Sequence, residues 1–424
     1  MNRTFLHLVS FGAFAFTPLA PAAAMQQFFR EPDAPFLVSA DETVERVTLP
    51  EVVAAAPSLF GRLTGEKAVA PVAVSQAQAV IDATRVKSPD AVLIFETRGP
   101  IQVTDTPLRL GSRMFLQVSA GGGIIAADNC TAASLIEIKD AEAVTIFSRG
   151  PGIGVIDGRG KPVTGISVTG GARINLDRLV VQKCGTAGID YRGRDAAAVN
   201  QAASATRCHF SENADGLRAD QTAAFQCLNN VFSKNTGRAL TIASINSIVA
   251  GNQFQNNKSA IRSASDRGVI ARNRIGDEAA LELTVESRGN LVTENIGTGT
   301  AHLLVIAGST QQVFRNDLPG TATIDGGAKD VFIIGNARLA VDSGAPGLRL
   351  FNPPTFGHPH QDPVIVAGMG RFDLPVITGG KLQRDKDKEP GIPAVDLAVA
   401  QEALNLARTE HPDDVLVLKL QGEF

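Results

Sequence analysis

Nine charged residues near the middle of the chain have the types and spacing to do chemistry. They are the carboxylates Asp190, Asp215, Asp220, Glu282 and Glu286 and the guanidiniums Arg192, Arg218, Arg238 and Arg262. Two carboxylates on either side of a glycosidic bond can hydrolyse it, one protonating the leaving oxygen and the other activating water. A base beside cations that neutralise a carboxylate can instead remove the α proton of a uronate, as a lyase or epimerase must. Asp190, Asp215, Arg218 and Asp220 are the candidates for catalysis. Arg192, Arg238, Arg262, Glu282 and Glu286 are the candidates for holding a polysaccharide. Arg238 or Lys234 could serve as the lyase base, provided that burial and nearby cations make it lose its proton, which is harder for Arg.

These residues can work together only if the chain carries them onto one face, and a repeat supplies that. Asn230 with Phe232, Asn252 with Phe254 and Asn273 with Ile275 open a row that continues through Asn295, Asn316 and Asn336, at steps of 20 to 22 residues. Upstream, Cys208 with Phe210 keeps the phase, and Asp177 with Leu179 rejoins it after a longer gap. A second apolar row follows behind it: Ile166, Ile189, Leu217, Leu240, Ile261, Leu283, Leu304 and Ile324. Two apolar rows at one period describe short strands that face a shared core and are stabilised by stacking on the next coil. The asparagines fit coil corners, where Asn tolerates left-handed backbone and its amide can bond to the amide about 4.8 Å away on the next coil. The sequence therefore predicts an all-β, single-stranded right-handed parallel β-helix of about 9 to 11 coils. Alternation along each strand then turns the charged residues outward as a strip on one sheet face. The long step before Cys208 predicts an excursion over residues 192–206, beside that strip.

Residues 73–87 read as an amphipathic helix, ended by Pro89-Asp90 and followed by a strand at Ala91–Phe95. Such a helix can cap the open end of the first coil. Strands recur around Leu116, Ile124, Ile136, Ile146 and Ile156, between glycine-rich turns. The cap, the coil length and the asparagine row resemble the pectate-lyase-like β-helix superfamily over residues 73–340. That superfamily holds lyases, hydrolases, epimerases, transferases and surface proteins, so the resemblance implies a fold and leaves the activity open. Within the strip, Asn213-Ala214-Asp215-Gly216 resembles the Asn-Thr-Asp-Gly motif of polygalacturonases. Carried over, the resemblance makes Asp215 the acid and Asp190 or Asp220 the residue serving water. The rest of that family's pattern is missing: there is no Asp-Asp pair within the coils, no Gly-His-Gly and no Arg-Ile-Lys.

Composition narrows the alternatives. A net charge of −3 and the absence of a basic stripe exclude a nucleic-acid footprint. One Tyr and no Trp suit closely stacked coils better than a sugar cleft lined with aromatic rings. Residues 1–24 read as an export signal cleaved near Ala24, with Arg3 before an apolar run that is too short to span a bilayer. The expected location is the periplasm or outside the cell. Residues 25–72 form an N-terminal extension, 341–393 a Pro/Gly-rich linker, and 394–424 a helix and strand. Gln401–Gly422 aligns without gaps on Gln78–Gly99 of the cap, and this suggests the start of a second β-helix or a partner-binding segment. Cys130, Cys184, Cys208 and Cys227 permit disulfides, and the pairing stays open. No cofactor is expected: no acidic cluster of the kind calcium needs is evident, and His358 and His360 alone make too few ligands for zinc. Two functions remain. One is a glycoside hydrolase, lyase or epimerase acting on an extended glycan; the other is a non-catalytic exported surface, scaffold or glycan-binding protein.

Overall fold

The structure is a computed structural model. It describes residues 43–342, apart from 51, 54–68, 120, 150–152, 195–198, 277–279, 299–301, 326, 329–330 and 335, together with strands at 348–351, 364–367, 376–378 and 381–383. The stretch read as an export signal, the His358/His360 stretch and the segment 394–424 lie outside the described residues.

Through most of the described coils a strand pairs in parallel with the strand three further along the chain, as Ser134–Lys139 does with Thr164–Thr169 and Glu142–Phe147 with Ala172–Asp177; the step is four where Leu179–Gln182 meets His209–Ser211 and two where His302–Ile306 meets Asp317–Ile324. A coil is therefore three strands and three corners, and three ladders run the length of the helix. The first ladder passes through Val92–Thr97 and Glu142–Phe147, the second through Gly154–Asp157 and Leu179–Gln182, and the third through Ala187–Arg192 and Asp215–Ala223. This is the expected right-handed parallel β-helix. Apolar side chains alternate inward, so Ile166, Ile189, Leu217, Leu240 and Ile261 stack rung on rung in a dry core. Beyond Ile261 the row runs to Leu281 and Leu304; Leu283 lies two residues on, opposite Ser263, and still faces inward. Phe210, Phe232 and Phe254 stack inside at 4.8 and 4.9 Å between centroids.

The asparagine row is a buried amide ladder. Each Nδ2 from Asn230 to Asn316 donates to the Oδ1 of the next Asn along the row, at 2.8 to 3.0 Å. Each Oδ1 also accepts the main-chain N–H of the preceding rung. Cys208 heads the row, its N–H donating to Asn230 Oδ1. The expected left-handed backbone belongs elsewhere: the positive φ falls on the residue before each rung, at Arg207, Asn229, Gly251, Arg272, Glu294 and Arg315. The bend and the amide are thus supplied by two different residues. Asp177 is out of phase with this row, because the residue opposite Cys208 is Leu179. Asp177 instead accepts Arg207 through both carboxylate oxygens, at 2.9 and 2.6 Å. A second, shorter row of the same design runs through Asn213, Asn235 and Asn257 with Cys184 at its head.

The helix Val74–Lys87 closes the N-terminal end, with Val74, Ala77, Ile81 and Thr84 turned to the core at helical spacing. Gln78 bonds both the N–H and the C=O of Arg109, and so satisfies part of an open strand edge. Val44–Thr48, from the stretch read as an extension, adds a parallel strand beside Val92–Thr97. Within the stretch read as a linker, Val364–Ala367 pairs antiparallel with Val331–Ile334. It pairs along the edge of the strand that carries Ile333.

Candidate functional site

The strip forms on the outer face of the third ladder. In Ala187–Arg192 the inward positions are Ile189 and Tyr191, which leaves Asp190 and Arg192 outside; in Asp215–Ala223 the same alternation puts Arg218 and Asp220 outside. Register stacks Ser167, Asp190, Arg218, Thr241, Arg262 and Glu282 in one line, with Arg192 beside Asp220 in the next. After Arg192 the chain leaves the ladder and rejoins it at Asn200–Gln201, which pairs with Thr222–Ala223. The expected excursion is therefore shorter than 192–206: Asn200–Gln201 and Ser204–Thr206 are ladder strands, and residues 195–198 lie outside the described residues.

Most of these charges are engaged with one another. Asp215 Oδ2 accepts Arg218 Nε at 2.7 Å, and its Oδ1 accepts the main-chain N–H of Arg238 at 2.8 Å. Arg262 faces Glu282 at 3.5 Å. Glu286 accepts the Thr284 hydroxyl, which holds its carboxyl below the usual carboxylate range. Arg192 reaches Asp190 Oδ2 at 2.7 Å, and this contact raises the guanidinium further. Asp190 is the exception: it is buried, and its Oδ1 accepts no hydrogen bond. Arg238 is half-buried, and Asp220 and Lys234 are exposed. An exposed ammonium lacks the burial that a lysine base would need.

Three residues of the Asn213-Ala214-Asp215-Gly216 motif have places in the scaffold. Asn213 is a rung of the second amide row. Gly216 follows Gly165 and Gly188 in a column of close backbone approach, where a Cβ would strike the carbonyl of the next coil. Asp215 ties its own coil to the next through Arg238, at a point where a Cβ on Gly237 would collide with its Oδ1. Sequence reasoning missed the second amide row, although Asn213, Asn235 and Asn257 repeat at 22 residues.

A different polar pair lies on the second ladder, where His209 Nε2 meets Ser233 Oγ at 2.8 Å. Burial pushes this imidazole below its ordinary range. All four cysteines are free thiols. Burial pushes Cys184 and Cys208 up to about 12, and Cys227 also upward.

Residues 139–336 match a family described as "Periplasmic copper-binding protein (NosD)". No curated protein matches the sequence. Among solved structures, PfbA, a surface adhesin of Streptococcus pneumoniae, is similar at 10% identity with a TM-score of 0.46, over 69% of this chain and 94% of that one. DFA-IIIase from Arthrobacter chlorophenolicus A6 without its lid gives 12% and 0.46, over 71% and 92%. The A-module of the Azotobacter vinelandii mannuronan C-5 epimerase AlgE4 gives 13% and 0.42, over 64% and 94%. Likenesses this distant say nothing of activity.

Among the described residues the donor set is a poor match to copper. A soft metal needs thiolates or free imidazoles that converge, whereas Cys184, Cys208 and Cys227 are buried in the coils and His209 is bonded to Ser233. Among the described residues no three His, Cys, Asp or Glu side chains come together. No described helix is long and apolar enough to cross a membrane.

Proposed function

We propose that this is an exported carbohydrate-active β-helix that holds an extended, hydroxyl-rich glycan along the outer face of its third ladder. The description of the matching family as periplasmic supports export. The observation that carries the reading is the register of the strip. Asp190, Arg218, Thr241, Arg262 and Glu282 occupy successive rungs, and at about 4.8 Å per rung they offer donors and acceptors over about 19 Å of straight, solid backbone. A flexible polymer loses less on binding to a preformed surface of this kind than to one that must order itself. The five carboxylates and four guanidiniums nearly cancel, which favours a neutral chain over a polyuronate. Since Asp215 already has both oxygens occupied, the geometry supports holding the chain better than cleaving it.

Cleavage is a second reading, favoured by one feature. Asp190 and Asp215 sit on adjacent coils of one face, about 11 Å apart at Cα from a rung spacing of about 4.8 Å and a rise of about 3.3 Å per residue. Two carboxylates on adjacent coils of one face can serve as the acid and base of a glycosidase. The test is a panel of neutral and uronate polysaccharides titrated into the purified protein by calorimetry, with absorbance of unsaturated products and new reducing ends read on the same samples. Binding of a neutral polymer, weakened by Arg218→Ala and by Arg262→Ala, is the expected result. Binding to nothing in the panel would overturn the proposal. New reducing ends or unsaturated products, abolished by Asp215→Asn, would replace holding with catalysis.

A further inference from the structure

Asp190 is an anomaly in the strip. Asp215 is met by Arg218 and by a main-chain N–H, Glu282 by Arg262, and Glu286 by Thr284. Asp190 has only Arg192, on Oδ2, while Oδ1 is occluded and accepts nothing, although the side chain as a whole is only 10% exposed. Arg218, one rung away and able to reach it, turns instead to Asp215 and to the Thr186 carbonyl. Buried carboxylate oxygens without a donor are rare, because folding selects against them unless something else supplies the donor. Arg192, which holds Oδ2, is 57% exposed, so it can swing away while the strand beneath it stays fixed.

We infer that Asp190 Oδ1 is the anchoring acceptor of a sugar subsite, filled by a hydroxyl of a neutral glycan once Arg192 moves aside. The inference rests on the glycan-holding reading and adds the residue and the class of ligand. The surroundings select the ligand. An anion would meet a carboxylate. A metal ion would meet Arg192 at Oδ2 and Arg218 on the next rung, and no set of three ligating side chains converges there among the described residues. A neutral donor satisfies the oxygen and leaves both guanidiniums free to bond other hydroxyls. Such a site is less stable empty than it could be, and this separates it from a structural ion pair.

The test uses Asp190→Asn and Asp190→Ala in the full chain, read by melting temperature and by calorimetric titration with whichever neutral polysaccharide the wild type binds. The expected result is a melting temperature equal to or above wild type in both variants, with affinity lowered at least tenfold. Arg192→Ala should weaken binding less, since it removes one neighbouring donor and keeps the acceptor. A melting temperature several degrees lower in both variants would make Asp190 a structural residue and overturn the inference. Unchanged affinity would overturn it as well, and would leave glycan binding elsewhere on the face standing. No binding by the wild type to any polysaccharide would overturn both readings together.

Discussion

Truncating one amide in the middle of the long ladder tests the scaffold directly. Asn252 is fully buried. Its Oδ1 accepts the main-chain N–H of Asn230 at 2.9 Å and the Asn230 side-chain amide at 3.0 Å. Its Nδ2 donates to the Cys227 carbonyl and to Asn273 Oδ1, both at 2.9 Å. Asn252→Ala removes these four bonds and the longer, weaker one from the Cys227 thiol at 3.7 Å. Asn230 Nδ2 still has the Ala205 carbonyl, and Asn273 Oδ1 still has the main-chain N–H of residue 252. The N–H of Asn230 is left buried with its partner gone, and the Cys227 carbonyl loses a donor. An orphaned buried group costs about 1 to 3 kcal/mol and each of the other three lost bonds about 1, so the expected loss is about 4 to 6 kcal/mol. The sequence alone supports only about 1 to 2 kcal/mol, because it shows the amide stacking and not the main-chain bonds. At about 2 °C per kcal/mol for a domain of this size, the melting temperature should fall by about 8 to 12 °C. Circular dichroism near the β-sheet minimum is the assay, with urea unfolding as the second measure. Gln253→Ala, at the exposed neighbouring position, should change stability by less than about 0.5 kcal/mol. A loss below about 1 kcal/mol for Asn252→Ala, or equal losses at 252 and 253, would refute the assignment of the ladder as a principal support of the coils.

Two other substitutions probe buried polar groups. Burial holds His209 below the ordinary imidazole value of 6.5, so the unfolded chain takes up this proton first as the pH falls. The stability it contributes is complete above about 6.5 and is lost as the pH drops toward the folded value; the melting temperature of the wild type should therefore fall more between pH 7.5 and 5.5 than that of His209→Gln, and parallel curves would show that His209 does not titrate differently on folding. Thr222 is 1% exposed and its hydroxyl has no partner, so Thr222→Val should leave stability unchanged or raise it by about 1 kcal/mol. A clear loss on thermal melting would mean that the hydroxyl is satisfied by a bound water.

The coils were legible because their signal is periodic. Inward and outward positions at Ile189, Asp190, Leu217 and Arg218 follow from strand alternation alone, and the capping helix from its apolar spacing. The phase was lost at Asp177, where the chain leaves the ladder after Arg192 and a fixed period no longer counts rungs. The second amide row escaped notice because it has only three asparagines and a cysteine at its head. Within the strip, membership could be read from the sequence, but partnership could not. Arg218 is a rung away from Asp190 and three residues from Asp215, and its choice of Asp215 is a matter of side-chain direction that leaves no trace in spacing. The motif around Asp215 misleads for the same reason: stacking coils need Asn at corners and Gly at close approaches, and so produce such strings unaided.

The amide ladder also gives the molecule a direction of assembly. The main-chain N–H at each corner is received by a side chain that lies about one coil later in the sequence, so a coil cannot finish its own corner. When the chain is delivered with its N-terminus first, the newest coil always waits with an open corner until its successor arrives. A chain cut between rungs therefore keeps one unfinished turn at its tip, however many complete turns lie beneath it.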